Sequence, residues 1–378
     1  MAQSPDMPSQ PRPAPPDYSH ASDTRPPATP RGDDLPTLLI VASTLGGGLG
    51  AVVRDQVDWY TAHGWRVIAA VPADSALGPL AEIEHRPIPI PISARDLPAM
   101  ARTVREVRTI VRRTKPDVIH CHGMRSFLVT RPATSLRPYV TLHGTGRVDS
   151  DPPGYRFVRG AGLRVIPLLA RRAFNAGVER QPGWSFLPHA SPRLQTLTSM
   201  AMPEHGELTV IWMGNLVEQK RPDVFIRAIG KAAERVTVKG IVAGGGDRPD
   251  LERLVREIGA PVEFTGWVDD VEQAVGDARG LALFSWFEAL AFVVQEAMWV
   301  GRPVVCSPLP SLRWLVGDTG LYADDVDSAA DAIVELADRD RAATLGERAR
   351  DRIRTLISPH DPWPHLETVF RRDLGQAV

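Results

Sequence analysis

Two glutamates with seven residues between them are the most informative pair of potentially reactive side chains in this chain. Glu288 follows the apolar run LALFS at 281–285, and Glu296 lies in the apolar stretch AFVVQEAMWV. Carboxylates at such positions can bind hydroxyl groups or stabilise a developing positive charge. Eight positions along a helix amount to about 80° beyond two full turns, so both side chains can face the same side. The alternative is a pair of structural carboxylates at a helix edge.

Two cationic side chains follow another strand-like run. Lys220 and Arg221 lie in GNLVEQKRPD at 214–223, directly after LTVIWMG at 208–214. A cation between a strand end and a helix start is well placed to bind a diphosphate. The chain has only four lysines among its 44 basic residues, so a lysine at 220 favours a functional ammonium. A solvated helix start is the alternative.

Glycine-rich segments follow two of the strand-like runs. GGGLG at 46–50 comes after TLLIVAS, and GGGDRPDL at 244–251 comes after VTVKGIVAG. Glycines let the backbone approach a ligand, and a following helix N-terminus favours an anion. The first segment fits only part of a dinucleotide fingerprint, because Ala51 stands at the third glycine. A flexible turn and a helix cap at Asp247 are the respective alternatives.

Three histidines lie at or near strand ends in the first half of the chain: His120, His122 and His143. Imidazole is a common metal ligand, but neither an HExxH motif nor a cysteine cluster accompanies them, so we expect no metal site. Donation to phosphate or sugar hydroxyl groups fits these positions better. The alternative is that they cap backbone groups.

The elements that must position these residues follow an α/β pattern. Short apolar β-rich runs alternate with amphipathic stretches, which is typical of parallel sheets with helical crossovers. The polar stretch MPEHGE at 202–207 divides the runs into two series. We therefore predict two parallel-sheet domains whose strand ends meet across one cleft.

The predicted domain boundaries begin with a disordered tail at 1–35. It holds nine of the 35 prolines and almost no apolar cluster, so it buries too little surface to fold. We place the N-terminal domain at 36–202, the C-terminal domain at 203–357 and a final segment at 358–378.

Composition excludes several classes of protein. The net charge of −1 argues against a nucleic-acid partner, which needs a strongly basic face. Cys121 and Cys306 cannot form a disulfide framework, so a reducing compartment is expected. With no signal-peptide pattern and no long apolar run, we expect a cytoplasmic protein that is at most peripheral to a membrane.

These segments, in this order, resemble the retaining glycosyltransferases of family 4, which have two facing Rossmann-like domains, the GT-B fold. The resemblance covers residues 37–375. EALAFVVQEA resembles the family's Glu-x7-Glu motif, which implies that Glu288 contacts the donor sugar near its reacting carbon and Glu296 binds the ribose hydroxyls. The resemblance adds to the donor site the residues that follow the first glutamate: Ala289, Leu290, Ala291 and Phe292.

GNLVEQKRPD resembles the family's Gly-Arg-Leu-x-x-x-Lys block, in which the basic residues hold the diphosphate. Lys220 matches, whereas Asn215 stands where the arginine is usual, and Arg221 or Arg248 could replace it. AGGGDRPDL resembles the family's GxGxxxxxL turn, and VEFTGWVDD resembles the strand and loop that lie against the base. Both segments contribute donor-site candidates: Gly244, Gly246, Trp267 and Val268.

The first domain matches the family less closely. The family's glycine pair falls at Gly47 and Gly48, but Gly50 stands where a glutamate is common. The strand ending in His143 resembles one that ends in an active-site histidine, which would support the sugar and the emerging charge. SFLPHASPRL at 185–194 departs from the usual Ile-Pro-Asn-Gly-Val-Asp. The acceptor-side candidates are His122 and Arg125. DPWPHLETVFRRDL resembles the helix that crosses back to the first domain.

The resemblance implies a retaining transferase that moves a hexose-type sugar from a UDP- or GDP-sugar to a hydroxyl acceptor, such as a glycan, a lipid-linked glycan or a small metabolite. Glu288, His143 and Lys220 would be catalytic, with no cofactor. Since no DxD-type pair stands in place to hold a metal, cationic side chains would stabilise the leaving diphosphate. Two other functions stay open: a nucleotide-sugar epimerase on the same scaffold, or a non-catalytic nucleotide-sugar-binding subunit, which Asn215 and Gly50 favour.

One further segment bears on location. AMARTVREVRTIVRRTK at 99–115 resembles a basic amphipathic helix that could touch anionic lipid. The alternative is a solvated helix on the outside of a Rossmann-like domain. The residues concerned are Arg102, Arg105, Arg112 and Arg113 beside Val104, Val107 and Val111.

Overall fold

The computed structural model describes residues 35–45, 47–72, 84–88, 96–143, 153–178, 182–204 and 206–376. These residues form two parallel sheets covered by helices, so the predicted α/β class with two Rossmann-like sheets is confirmed. The predicted tail lies outside the described residues, apart from its last residue.

The first sheet has seven strands in the described part, in the order β3-β2-β1-β4-β5-β6-β7, with parallel neighbours. Strand β1 has no exposed residue because helices cover both faces of the sheet, which explains its continuous apolar run. The strands are β1 (Thr37–Ala42), β2 (Arg66–Val71), β3 (Glu84–Pro87), β4 (Val118–His122), β5 (Tyr139–Leu142), β6 (Ala173–Asn175) and β7 (Ser185–Phe186).

Helices from both ends of the chain cover the first sheet. Among the residues described, four lie between its strands: α1 (Gly47–Ala62), α2 (Leu97–Thr114), α3 (Met124–Thr130) and α4 (Pro153–Leu169). The C-terminal helix α12 (Trp363–Asp373) packs on the same core, where Trp363, Leu366 and Phe370 belong to one hydrophobic cluster with side chains of β1 and α1.

The second sheet has the order β10-β9-β8-β11-β12-β13, again parallel throughout. Its strands are β8 (Leu208–Met213), β9 (Val238–Ala243), β10 (Val262–Gly266), β11 (Gly280–Leu283), β12 (Val304–Cys306) and β13 (Leu321–Tyr322). Its helices are α5 (Pro222–Ala233), α6 (Pro249–Ile258), α7 (Val271–Gly276), α8 (Phe292–Val300), α9 (Pro310–Val316), α10 (Val326–Glu335) and α11 (Arg339–Leu356).

The strand order reverses between β1 and β4 in the first sheet, and between β8 and β11 in the second. Ligands of open parallel sheets bind outside the carboxyl ends of the strands at such reversal points. The chain leaving β1 leads to Gly47, and β4 ends at His122. The chain leaving β8 leads to Lys220, and the chain leaving β11 leads to Glu288. The topology therefore places the predicted reactive residues at both reversal points.

Helix α2 turns its valines inward. Val107 is fully buried, and Val104 and Val111 pack against the core of the first sheet. Its outward face carries exposed arginines, including Arg102 and Arg112. Because the apolar face is occupied, the structure favours the solvated alternative over the lipid-binding one. Within the described ranges, no helix has the length and apolar character needed to cross a membrane.

Gly244→Ala is expected to lower the free energy of unfolding by about 3 kcal/mol or more. A Cβ at Gly244 would lie 1.7 Å from the Gly214 carbonyl oxygen, and its φ is +152°. Overpacking and a strained backbone each cost about 1–3 kcal/mol. Gly245→Ala is the matched control, since its Cβ would meet only the Trp267 ring at 4.0 Å. Urea unfolding measures both variants, and equal stabilities would contradict the packing described here.

Candidate active site

Glu288 and Lys220 are in direct contact at the reversal point of the second sheet. Lys220 Nζ lies 2.6 Å from Glu288 Oε1, and the Ser285 hydroxyl donates to the same oxygen at 2.7 Å. The Ser311 hydroxyl donates to the Glu288 backbone carbonyl at 2.7 Å. The loop after β11 is thus held at both its side chain and its backbone, which fixes the carboxylate next to the ammonium.

The Lys220 segment is tied to the Glu288 segment by further hydrogen bonds. Gln219 Nε2 donates to the Phe287 carbonyl at 2.8 Å, and the Trp286 amide donates to the Gln219 carbonyl at 2.9 Å. A Cβ at Gly214 would lie 2.9 Å from Lys220 Cδ, so the lysine side chain passes closely over this glycine. A larger residue at 214 would push the ammonium away from the carboxylate.

The turns after β8, β9 and β10 form a floor of backbone beside this ion pair. The Gly214 amide donates to the Ala243 carbonyl at 3.0 Å, and the Gly244 amide donates to the Gly266 carbonyl at 2.7 Å. Gly246 packs on Leu216, with a Cβ position 3.0 Å from the leucine Cβ. The predicted glycine-rich turn therefore serves close backbone packing. The alternative of a helix cap at Asp247 is wrong, because Arg248 occupies the N-cap position of α6 and its side chain makes no capping hydrogen bond.

Asn215 is exposed, and two nearby arginines are candidates for the diphosphate-binding role of the arginine that it replaces. Arg248 Nη1 donates to the Leu216 carbonyl at 3.3 Å, so it lies beside the turn that carries Asn215. Its other guanidinium nitrogens bind Asp250 at 2.8 and 2.7 Å, which lowers the pKa of that carboxyl to about 2. Arg221 instead lies over the Trp286 ring, 5.8 Å from its centroid.

Trp267 and Val268 follow β10 on the same side of the sheet. The Trp267 indole is 63 % exposed, and its Nε1 donates to Asp269 Oδ1 at 3.0 Å. Val268 packs against the core of the second sheet. An exposed aromatic ring held by one hydrogen bond offers a flat surface for a nucleobase.

Glu296 has different partners from Glu288. It lies on α8, is 2 % exposed, and accepts hydrogen bonds from the Ser191 hydroxyl at 2.5 Å and from Arg193 Nη1 at 3.2 Å. The neighbouring Gln295 accepts from the Ser191 amide at 2.8 Å. Ser191 and Arg193, in the segment that links the two sheets, therefore hold the Glu296 carboxylate. Binding of a ribose by Glu296 stays a prediction.

The two halves of the chain meet at Phe292, the first residue of α8. A Cβ at Gly48 would lie 3.7 Å from the Phe292 ring, and Phe292 packs against the first sheet's core. The start of α1 therefore faces the start of α8. Leu290 and Ala291 are buried next to this contact, Ala289 is partly exposed, and Gly47 begins α1.

The structure explains why a glycine stands at position 50, where a glutamate is common in the family that the sequence resembles. A Cβ at this position would lie 1.9 Å from the Leu45 carbonyl oxygen. The chain entering α1 thus occupies the space that a glutamate would need. Gly46 lies outside the described residues.

Four histidines and one glutamine form a buried cluster at the carboxyl ends of β4 and β5. His122 lies 2.8 Å from His143 and 2.7 Å from Gln56, measured between hydrogen-bonding atoms. His120 lies 2.8 Å from Gln56, and the His189 ring packs edge-on against His143 at 4.9 Å.

His122 does not line an acceptor site as predicted. Its side chain is fully buried and both of its ring nitrogens are hydrogen-bonded within the cluster. His143 is the partly exposed member of the cluster. Arg125 is exposed in the first turn of α3, so it remains a candidate for the acceptor side.

The cluster makes the stability of the fold depend on pH. Burial lowers the pKa of His120, His122 and His143 well below the usual value, and lowers that of His189 to about 4. These side chains stay neutral in the folded chain but take up protons on unfolding below about pH 6.5. The unfolded state then binds more protons, so the free energy of unfolding falls as the pH drops from about 6.5.

We expect urea unfolding to report up to about 1.4 kcal/mol lost per pH unit for each of these histidines. His189→Gln should reduce the slope of the free energy of unfolding against pH by the contribution of one proton, because it removes one of the titrating groups. Equal stabilities at pH 5.0 and 7.0 in the unaltered chain would contradict the burial of the cluster.

The residues that sequence reasoning missed are Gln56, His189, Ser191 and Arg193. Each acts through a partner far away in the chain, which a local pattern does not reveal. His189, Ser191 and Arg193 carried a signal, because they lie in PHASPR, which departs from the family's usual motif, whereas Gln56 carried none. Among the described residues, no three His, Cys, Asp or Glu side chains converge as a metal site.

Comparisons with known proteins agree across both halves of the chain. The model of the family described as "Glycosyl transferases group 1" matches residues 207–339, and that of "Glycosyl transferase 4-like domain" matches residues 47–178. The chain is 25 % identical over 257 residues to the lipopolysaccharide core biosynthesis glycosyltransferase LpsE of Rhizobium meliloti, covering 65 % of this chain and 73 % of LpsE.

A D-inositol 3-phosphate glycosyltransferase of Corynebacterium aurimucosum is 33 % identical over 169 residues, which is 40 % of each chain. Among solved structures, sucrose-phosphate synthase of Thermosynechococcus elongatus superposes with a TM-score of 0.77 at 19 % identity, covering 90 % of this chain and 99 % of that one. Anabaena HepE in complex with UDP-glucose has a TM-score of 0.70 at 17 % identity, covering 90 % and 99 %. These structural similarities concern the fold, which is that of the GT-B glycosyltransferases.

Proposed function

We propose that this chain, which is a glycosyltransferase with a GT-B fold, transfers a hexose-type sugar from a UDP- or GDP-sugar to a hydroxyl acceptor with retention of anomeric configuration. The observation that carries the proposal is the Lys220–Glu288 pair at the reversal point of the second sheet. Breaking a sugar–phosphate bond leaves negative charge on the diphosphate and positive charge on the anomeric carbon. An adjacent ammonium and carboxylate can stabilise these two charges.

The leaving diphosphate takes the electron pair of the bond to the anomeric carbon. Lys220 donates to the developing negative charge, and the facing starts of α1 and α8 offer free backbone amides to the phosphates. Arg248, beside the Asn215 turn, supplies the guanidinium that Asn215 lacks. With these cations the transfer needs no metal ion, so we expect EDTA to leave turnover unchanged.

The anomeric carbon becomes positively charged as the bond breaks. The Glu288 carboxylate, held by Ser285 and Lys220, contacts the sugar and stabilises this charge. The acceptor oxygen forms the new bond on the face that the diphosphate leaves, and its proton passes to a diphosphate oxygen. His143 contacts the sugar from the first sheet.

Binding of the nucleotide uses the elements around this pair. The Trp267 indole stacks on the base, and Glu296 binds the ribose after exchanging its Ser191 contact. The names of the relatives support a glycan or a polyol as acceptor, and the HepE complex supports a UDP-sugar donor. Cys121 and Cys306 are buried and unpaired, which supports a cytoplasmic site of action.

Thermal unfolding with UDP-, GDP- and dTDP-sugars tests the donor, because a bound ligand raises the melting temperature by mass action. Product analysis then follows with an acceptor panel of a polyol phosphate, an oligosaccharide and a lipid-linked sugar. We expect one donor to stabilise the chain and its sugar to appear on an acceptor. Release of a free epimerised nucleotide sugar would overturn the proposal, as would tight donor binding with neither transfer nor hydrolysis.

A further inference from the structure

A continuous line of hydrogen bonds runs through the histidine cluster to His143. It starts at Thr141, whose Oγ1 lies 2.8 Å from His120 Nε2, and His120 Nδ1 lies 2.8 Å from Gln56 Nε2. Gln56 Oε1 lies 2.7 Å from His122 Nε2, and His122 Nδ1 lies 2.8 Å from His143 Nε2. His120 and His122 thus each use one ring nitrogen for each of their two neighbours in the line, and His143 uses its Nε2.

Every interior member of this line is buried. Gln56, His120 and His122 are fully buried, as is Thr141 at the start of the line, so water does not compete for these hydrogen bonds. Burial also lowers the pKa of the imidazoles and keeps them neutral. A neutral imidazole has one nitrogen that donates and one that accepts. The direction of one hydrogen bond therefore determines the direction of the next.

The Gln56 amide sets this direction, because it alone in the line has a group that only donates and a group that only accepts. Its NH2 group donates to His120 Nδ1, and its carbonyl oxygen accepts from His122 Nε2. His122 Nδ1 then carries no proton and accepts from His143 Nε2. A half-turn of the amide would reverse every one of these bonds.

We propose that Gln56 is a positioning residue that holds His143 in the Nε2–H tautomer, so that His143 Nδ1 accepts a hydrogen bond from a substrate hydroxyl. Resting on the proposed function, this assigns the hydroxyl to the sugar or to its acceptor. It also reverses the expected role of His143, from a donor to phosphate or sugar hydroxyl groups into an acceptor from a hydroxyl. A phosphate or carboxylate oxygen, which brings no proton, does not fit this nitrogen.

His189 supports the same ligand chemistry from an independent position. Its Nδ1 donates to the Leu187 carbonyl at 3.0 Å, so its Nε2 carries no proton. This Nε2 is buried and has no hydrogen-bond partner among the described residues. Its ring packs against the His143 ring at 4.9 Å. Two neighbouring rings therefore each keep an accepting nitrogen, which suits a ligand that brings hydroxyl protons.

Nitrogen-15 NMR of the full chain with labelled histidine tests the proposal directly, since protonated and unprotonated ring nitrogens have distinct shifts. The His143 signals are assigned by comparison with His143→Asn. We expect the unaltered chain to show His143 with its proton on Nε2. In Gln56→Leu we expect His143 to lose this single tautomer and kcat to fall at least about tenfold, because a wrong tautomer at an active-site histidine is costly.

Thr141→Val is the matched control, because it removes a buried partner at the far end of the line without touching the Gln56–His122–His143 part. It should keep the Nε2–H tautomer and kcat, even if it lowers the melting temperature as much as Gln56→Leu does. A proton on His143 Nδ1 in the unaltered chain, or an unchanged tautomer in Gln56→Leu, would overturn the proposal. The NMR measurement needs neither donor nor turnover, so it is independent of whether the proposed transfer is observed.

Discussion

Glu288→Gln is expected to lower kcat by about 10²–10³-fold and to change donor affinity by no more than a few fold. The glutamine keeps the size of the side chain and can still accept from Ser285, but it loses the negative charge that faces the anomeric carbon. Removing one preorganised group that stabilises transition-state charge costs about 10²–10³-fold. Steady-state turnover and calorimetric binding of the donor measure the two effects separately.

Glu218→Gln provides the matched control for this prediction. Glu218 is an exposed glutamate two residues from Lys220, and the hydrogen bonds of Glu288 go to Lys220, Ser285 and Ser311 instead. Its kcat should stay within about twofold of the unaltered chain, as for most surface substitutions. Normal turnover in Glu288→Gln would remove this carboxylate from the reaction.

Lys220→Met is the second large prediction, with kcat/KM expected to fall by about 10²–10³-fold. The methionine keeps most of the aliphatic length but removes the charge that stabilises the leaving diphosphate. It also leaves the Glu288 carboxylate without its cation, 2.6 Å away in the unaltered chain. Donor affinity should therefore fall together with kcat, in contrast to Glu288→Gln.

Two comparisons make the Lys220 result specific. Lys220→Arg should recover part of the activity, since it restores a cation with a different shape. Lys231→Met removes an exposed lysine that pairs with Asp327 on the outside of the second domain, and should leave turnover unchanged. If Lys220→Met and Lys231→Met had equal kcat/KM, the diphosphate-binding role of Lys220 would be wrong.

The fold was predictable because buried parallel strands have a distinctive composition. The runs TLLIVAS and LTVIWMG became the central strands β1 and β8, where both faces are covered. The placement of Lys220 and Glu288 was predictable for the same reason: each follows a central strand, and the parallel topology brings the ends of those strands together. Lys220 and Glu288 lie 68 positions apart in the chain, and they come within 2.6 Å because β8 and β11 are neighbours in the sheet.

The features that escaped prediction depend on packing between distant segments. Gln56 lies on an ordinary amphipathic helix, and nothing in its neighbours along the chain shows that two histidines flank its amide. Ser191 meets Glu296 only because the linking segment lies against α8. The periodicity of α2 indicated an apolar face without revealing that the first sheet covers it.

The most direct test of the central claim is NMR analysis of the products formed from the donor identified by thermal unfolding. The acceptor is the member of the panel that supports turnover, or water. We predict one nucleoside diphosphate released for each sugar transferred, and a transferred sugar with the anomeric configuration of the donor. An inverted product, or consumption of the donor without release of the nucleoside diphosphate, would contradict the account.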